Sequence, residues 1–482
     1  MFKSLCRGLA TSTGSSVAKA AKKSVPKLQD VVIIGGGPAG LSLLAALKAS
    51  SVTSHLKCTL VEGSSLEPIR KFGQDPPEEY TNRVVSLTPK SVEFMSSKIG
   101  SWEYMNQERV KFYDNIVAYD SQDRAARIAF DGSSLAEDGG FLAVMAENIN
   151  IQSSLLQRIE AMDPEVAPRI LDNTKVVDIQ SPEEGSPVED WPIVKLSNGE
   201  SIQTRLLVGA DGYNSPVRKY ARIESRGWMY NRWGVVATIK LQYEDYRSIA
   251  WQRFLTTGPL AILPLTEENA TIVWSSTPEL SDILIKTNPA IFPELVNAAL
   301  TLDEVSLNFI YEKLRVNPDD MSVLEDIQWR QTRLKITDLE ENYPLPVVEV
   351  IEGSRAKFPL KLSHADTYTA PRVALVGDAA HTVHPLAGQG LNMGQGDVES
   401  LVGAIEKGVL RGMDIGSPLV LEPYTSDQWP GNHALMGVCD KLHKIFSTDW
   451  APIVFVRGFG MKSLNMFDSV KDLMIKSISG KL

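Results

Sequence analysis

The sequence predicts an α/β fold that opens with a Rossmann-like nucleotide-binding unit, and three observations carry the prediction. The first is a β-branched run, Asp30 to Ile34, followed at once by Gly35-x-Gly37-x-x-Gly40. The second is a short apolar segment, Cys58 to Val61, that closes on Glu62 about 20 residues beyond the glycines, the usual place for a ribose-binding carboxylate. The third is that a design of apolar strand, glycine and aspartate recurs twice, at Leu206 to Gly212 and at Val373 to His381.

Taken in chain order, residues 1–27 differ from everything after them. They contain six basic residues, many hydroxyls and no acid before Asp30, the composition of a mitochondrial presequence rather than of a secretory signal. The segment from Val31 to Leu47 is uncharged, but it is shorter than the ~20 residues a bilayer requires, and Gly35, Gly36, Gly37 and Pro38 interrupt it. It reads as strand, turn and helix. Each glycine then has a reason: Gly35 for the tight turn, Gly37 for backbone approach of a diphosphate, Gly40 for close packing of helix on strand. The helix that follows offers free N–H groups and a positive dipole end to phosphate.

The two later aspartates, Asp211 and Asp378, stand at the C-terminal edges of apolar strands. Taken singly, each is most simply a helix N-cap. Together with the first fingerprint they fit a carboxylate on a polyol chain, which FAD has and NAD lacks. FAD is therefore the predicted cofactor.

Composition narrows the remaining classes. The chain has 482 residues, 43% hydrophobic and 22% charged, enough for a large core and about three domains' length of chain. Its formal charge of −10 argues against a nucleic-acid partner held through phosphates. Cys6, Cys58 and Cys439 have neither zinc nor disulfide spacing, and His381 and His384 lack a third ligand, so no metal site is predicted.

The three elements resemble those of the para-hydroxybenzoate-hydroxylase-type flavoprotein monooxygenases. The run His384-Pro385-Leu386-Ala387-Gly388-Gln389-Gly390-Leu391-Asn392-Met393-Gly394-Gln395-Gly396-Asp397 is similar to the signature of the ubiquinone-biosynthesis branch, as are Trp251 to Leu255, Gly258-Pro259 and Pro264-Leu265. With the presequence, the likeness is to the mitochondrial members that hydroxylate ring carbon C5. It implies a Rossmann-like FAD-binding domain made of residues 28–90, 140–225 and 355–415. A β-sheet substrate domain of residues 91–139 and 226–354 is inserted into it, with an insertion near 301–350, and residues 416–482 form a helical C-terminal region.

The resemblance also implies roles. Gly35, Gly37, Gly40 and Glu62 hold the ADP half, and Arg83 lies on the diphosphate side, where a planar, permanently charged fork suits phosphate. Asp378, with Asp211, serves the ribitol. Gly388, Gln389, Gly390, Leu391 and Asn392 bring a helix N-terminus to the flavin, while Pro385 and Gly388 face the reacting centre. The implied reaction is hydroxylation of a polyprenylated, hydroxybenzoate-derived phenol by O2 through a C4a-hydroperoxyflavin. Electrons arrive from NAD(P)H or, given the acidic stretch that includes Asp303, Glu304, Asp319, Asp320, Glu325, Asp326, Asp338, Glu340 and Glu341, from a docked donor protein. Other ubiquinone-biosynthesis proteins are expected partners, and the expected location is peripheral, on the matrix side of the mitochondrial inner membrane. His381 and His384 are read as structural. Gln428 and Trp429-Pro430 depart from the family pattern after Tyr424, which puts the packing of the last region in question. The rival class is a prenyl-lipid binding or scaffold protein on the same fold without turnover; the complete motifs at Gly377-Asp378 and Gly388 to Asn392 argue for the enzyme.

Overall fold

The computed structural model describes residues 26–132, 141–182, 190–334, 342–384, 388–467, 470–471 and 474–475. Residues 1–25 of the expected presequence, Pro385, and Asp338, Glu340 and Glu341 lie outside them.

The apolar run at the start becomes the strand Lys27–Ile34, whose second half is buried on both faces. Such a strand belongs in the middle of a parallel sheet, and it pairs in parallel with Cys58–Val61 on one side and Ser201–Gly209 on the other. The eight-stranded sheet continues outward to Val373–Leu375 at one side and Arg169–Leu171 at the other. Both strand-glycine-aspartate segments thus end at the same edge as the first glycine turn. The helices Pro38–Ala49 and Gly390–Leu410 pack against this sheet, and their buried faces merge with it into the largest core.

A second, nine-stranded sheet is built on the 17-residue strand Ser225–Leu241, flanked by Asn269–Ser276 and Ala356–Ala365. It is antiparallel apart from the Ile249–Leu255 and Asn115–Asp120 pair. The short strand His381–Thr382 joins its edge against Ser363 and His364, which stitches the two sheets together just after Asp378. A three-stranded sheet of Val84–Leu87, Ala143–Glu147 and Val110–Tyr113 completes the strand architecture of the described residues.

The stretch read as an insertion near 301–350 is built into the second layer. Its helices Glu304–Val316 and Ser322–Thr332 bury Leu307, Ile310, Leu314, Val323 and Ile327 in the core of the nine-stranded sheet. Several of its acids serve the fold. Asp303 caps the first helix by accepting from Ser306 N at 2.8 Å, Asp326 pairs with Arg330, and Glu304 accepts from Thr256 N at 2.8 Å. The acidic character of the sequence therefore overstates the charge free to steer a partner.

The C-terminal region holds the helices Pro418–Phe446 and Ala451–Met466. No helix among the described residues is long and apolar enough to cross a membrane. The departure around Trp429-Pro430 is absorbed: Pro423 and Pro430 both lie inside the first of these helices, and Trp429 donates from Nε1 to the Ala365 carbonyl at 2.9 Å.

Candidate functional site

At the end of the first strand the chain must reverse over another backbone. Gly35 has φ +112, and a Cβ there would run into the Ala210 carbonyl. Gly40 packs on the Gly35 carbonyl, which draws the helix Pro38–Ala49 onto the strand. Gly37, its N-cap, contributes no side-chain hydrogen bond, and a Cβ at this position would meet nothing within 4 Å. The N-terminal N–H groups of the helix consequently face open space with a positive dipole behind them. Glu62 is held against this turn: its carboxylate accepts from Gly36 N at 2.6 Å and from Ser64 N at 2.8 Å.

The two aspartate turns converge on the same edge. Ser215 rather than Asp211 caps the helix Pro216–Tyr220, while one Asp211 oxygen accepts from Val217 N at 3.2 Å. The other oxygen, Oδ1, is buried without a partner, and burial raises the carboxyl above its ordinary value. Asp378 sits in the turn Gly377–Ala379. Its side chain is open to solvent on one side and makes no hydrogen bond to the described residues, while crowding on the others raises its carboxyl against the opposing pull of His381 and Lys361. Arg218 ties the turns together by donating to the Ala379 carbonyl at 2.6 Å and to the Tyr213 carbonyl at 2.5 Å.

Gly388 takes a left-handed φ of +62 immediately before the helix Gly390–Leu410. Asn392 is placed differently from a side chain aimed at a cofactor. Its Oδ1 accepts from Thr88 N at 3.0 Å and Ser91 Oγ at 2.8 Å, and its Nδ2 donates to the Ser86 carbonyl at 2.8 Å. The side chain braces the helix N-terminus against the strand Val84–Leu87, so only its backbone remains to face a ligand. Gln389 Oε1 accepts from Asn392 Nδ2 at 3.3 Å, and Leu391 packs on the main core. Arg83 is exposed and has no ion-pair partner among the described residues. The loop that carries it is anchored by a buried pair, Arg109 Nε to Glu147 Oε2 at 2.7 Å, with Glu147 also accepting from Thr81 N at 2.6 Å.

An open glycine turn at a helix N-terminus, one orphaned carboxylate oxygen and one unbonded carboxylate at a shared sheet edge, with an unpaired arginine just before the strand Val84–Leu87 of the three-stranded sheet, fit a dinucleotide cofactor carrying phosphates and hydroxyls.

Sequence reasoning missed the polar core that holds the Gly377 turn. Asp397, fully buried, accepts from Gly377 N at 2.9 Å, from His381 Nε2 at 2.6 Å and from Asn432 Nδ2 at 3.1 Å. Asn432 also donates to Tyr368 Oη at 3.2 Å, Tyr368 bonds His364 Nε2 at 2.7 Å, and Tyr424 donates to the Leu375 carbonyl at 2.7 Å. Burial by itself would lower the His381 imidazole, but the charge and hydrogen bond of Asp397 raise it overall. The structural reading of His381 stands. The signal for Asp397 lay in its place at the end of the glycine-rich run; Asn432 and Tyr368 are joined to it only by folding.

A sequence family described as FAD binding domain matches residues 169–434. Over 99% of its length this chain is 46% identical to the mitochondrial ubiquinone biosynthesis monooxygenase COQ6 of Saccharomyces cerevisiae, covering 97% of that protein. The human COQ6 monooxygenase is 34% identical, over 93% of this chain and 92% of the relative. Among solved structures, p-nitrophenol 4-monooxygenase PnpA from Pseudomonas putida superposes with a TM-score of 0.64 over 94% of this chain and 98% of that one, at 16% identity. PqsL of P. aeruginosa, solved with 2-aminobenzoylacetate, gives 0.62 over 91% of this chain and 100% of that one, at 21% identity. The structural likenesses establish the fold alone.

Proposed function

This chain belongs to the COQ6 family of FAD-dependent monooxygenases of ubiquinone biosynthesis, and from that premise we propose that it hydroxylates ring carbon C5 of a polyprenylated, 4-hydroxybenzoate-derived phenol. The observation that supports the reading is the convergence of the Gly35–Gly40 turn, Asp211, Asp378 and the Gly388–Asn392 helix start at one sheet edge, in a chain that matches the yeast relative along almost its whole length.

In this reading Gly35, Gly37, Gly40 and Glu62 hold the ADP half of FAD, Arg83 meets the diphosphate, Asp378 and Asp211 serve the ribitol, and Gly388 to Asn392 present backbone N–H groups to the flavin's pyrimidine side. Pro385 belongs to the reacting centre by the same proposal. FAD held by these residues would, once reduced, supply activated oxygen from O2 to the ring. The protein's own part is to orient the ring and to exclude water, which would otherwise divert the oxygen to peroxide. A phenol suits this transfer because its oxygen pushes electron density onto the attacked ring. The proposed division of the chain is an FAD-binding unit of residues 28–90, 140–225 and 355–415 around a substrate unit, with the C-terminal helices covering both.

The proposed location is the matrix side of the mitochondrial inner membrane, peripherally bound, since the relatives are mitochondrial proteins and a polyprenyl chain resides in the bilayer. Electrons come from NAD(P)H or a donor protein, and other proteins of the pathway are proposed neighbours. The test is chemical. Cells lacking this chain should accumulate a prenylated intermediate without the C5 hydroxyl, and restoring the chain should clear it. Accumulation of an intermediate already hydroxylated at C5 would refute the assignment.

A further inference from the structure

Three residues beyond His381 lies a second buried group of aromatic and imidazole side chains, and it differs from the first in that most of its polar atoms are unbonded. Tyr230 comes from the irregular part of the strand Ser225–Leu241, where the register shifts between Met229 and Trp233. Its ring lies 5.1 Å from that of His384 and 4.9 Å from that of His443, both edge-on, and the two imidazoles are 4.9 Å apart. His384 is 1% exposed and His443 7%. Both ring nitrogens of His384 and His443 Nδ1 are buried without a hydrogen-bond partner. Tyr230 Oη and Asp440 Oδ1 are also buried without a bond of normal geometry, though burial together with the nearby Asp440 carboxylate raises the Tyr230 phenol. Asp440 spends its other oxygen on Lys444 Nζ at 2.8 Å. One side of the group is apolar, formed by Leu362, Met393 and Met436.

Native proteins bond nearly all buried polar atoms, so the orphans gathered here mark a place where something else supplies the bonds. A metal is the wrong occupant: among the described residues no three His, Cys, Asp or Glu side chains are placed so that they could hold one. An anion is disfavoured, because the Asp440 carboxylate offsets the Arg232 guanidinium beside His443, while burial holds His384 down to about 3 and burial with the Arg232 charge holds His443 down to about 4, leaving both imidazoles neutral. Neutral donors and acceptors over an apolar floor suit a hydroxyl on an aromatic ring. The group also adjoins the proposed flavin end of the site. His384 precedes Gly388 by four residues, and Met393 lies in the first turn of the helix Gly390–Leu410.

We propose that Tyr230, His384 and His443 form the seat of the substrate's ring hydroxyl, an imidazole nitrogen accepting its proton in a hydrogen bond while the tyrosine hydroxyl or the other imidazole donates to its oxygen. This rests on the aromatic-hydroxylase reading above and names the residues that make it selective for phenols.

The test uses the full chain with FAD bound and two probes, 3-geranyl-4-hydroxybenzoate and 3-geranylbenzoate, titrated against the visible spectrum of the flavin. The wild-type protein should prefer the hydroxylated probe by roughly 10- to 100-fold, the worth of one or two hydrogen bonds. In Tyr230→Phe and in His384→Phe that preference should fall about tenfold, with affinity for 3-geranylbenzoate and flavin content unchanged. Tyr230→Phe removes one oxygen atom and keeps the measurement available if the histidine variant does not fold. A preference that survives both substitutions would mean that ordered water alone fills the group, and would overturn the proposal. Wild-type binding of both probes with equal affinity would overturn it too, while leaving the substrate class intact. Binding of neither probe would bring down the aromatic-substrate reading itself.

Discussion

His381 and His384 stand three residues apart, yet the surroundings of the two are opposite. His381 enters a bonded core in which Asp397 accepts from the Gly377 amide, the imidazole Nε2 and Asn432 together, with only Nδ1 of the ring left unpaired. His384 enters a group in which both of its own nitrogens and His443 Nδ1 are left without a partner, although Asp440 is held by Lys444. Both groups lean on the same helix, Pro418–Phe446, which contributes Asn432 to one and Asp440 and His443 to the other. Burial alone therefore says little about what a polar side chain is for. A buried group whose bonds are closed within the protein holds a shape, whereas one whose bonds are open holds a place for something else.

The sharpest way to break this contrast is to open the closed group. Asp397→Ala would strip a buried imidazole, a backbone amide and a buried carboxamide of their shared acceptor. Removing one partner of a buried pair of this kind costs about 3–5 kcal/mol. Urea unfolding should show that loss, together with loss of bound FAD as the Gly377 turn relaxes. Unchanged stability would deny Asp397 its organising role.

A second measurement uses pH, because the two groups have opposite signs. The raised His381 stabilises the fold fully below the unfolded imidazole value of about 6.5, and that contribution is lost as pH rises through its folded value. His384 and His443, pushed down by burial to about 3 and about 4, contribute stability that is present above about 6.5 and lost as pH falls toward those values. Asp397→Asn should accordingly flatten the alkaline side of the stability profile, and His384→Phe the acid side. Stability measured by urea titration between pH 4 and 9 checks both; identical profiles for the two variants would erase the distinction.

The smallest effect is also the most discriminating. Tyr424 donates to the Leu375 carbonyl, so Tyr424→Phe should cost about 1 kcal/mol. Tyr230 has no such partner, and Tyr230→Phe should leave the ligand-free protein as stable as before or slightly more so, since a buried orphan hydroxyl is removed. Thermal unfolding of the two variants side by side would reveal an equal loss if the Tyr230 hydroxyl is in fact bonded.

What the sequence determined by itself was whatever depends on local backbone demands. Gly35 and Gly40 were legible because a turn over another backbone and a close helix contact each call for a residue without a Cβ, whereas the folded chain by itself leaves room for a side chain at Gly37. The strand identity of Asp30 to Ile34 was legible because a β-branched run buried on both faces suits a parallel sheet. Asp378 and Asp211 stood out through repeated local context. Tertiary structure decided what depends on distant partners. Asn392 sits in the expected helix start, but its side chain is committed to Ser86, Thr88 and Ser91, some 300 residues earlier. The acids near 301–350 looked like free charge, and several proved to be caps and pairs, because a carboxylate's role is set by the amide or cation that folding brings to it. Tyr230, His384 and His443 form no pattern along the chain, and no spacing rule could have joined them; they meet because an irregular strand, a loop after the second sheet's edge and a long helix converge. A hydrogen bond left open is a property of three dimensions, and only the folded chain shows which ones remain so.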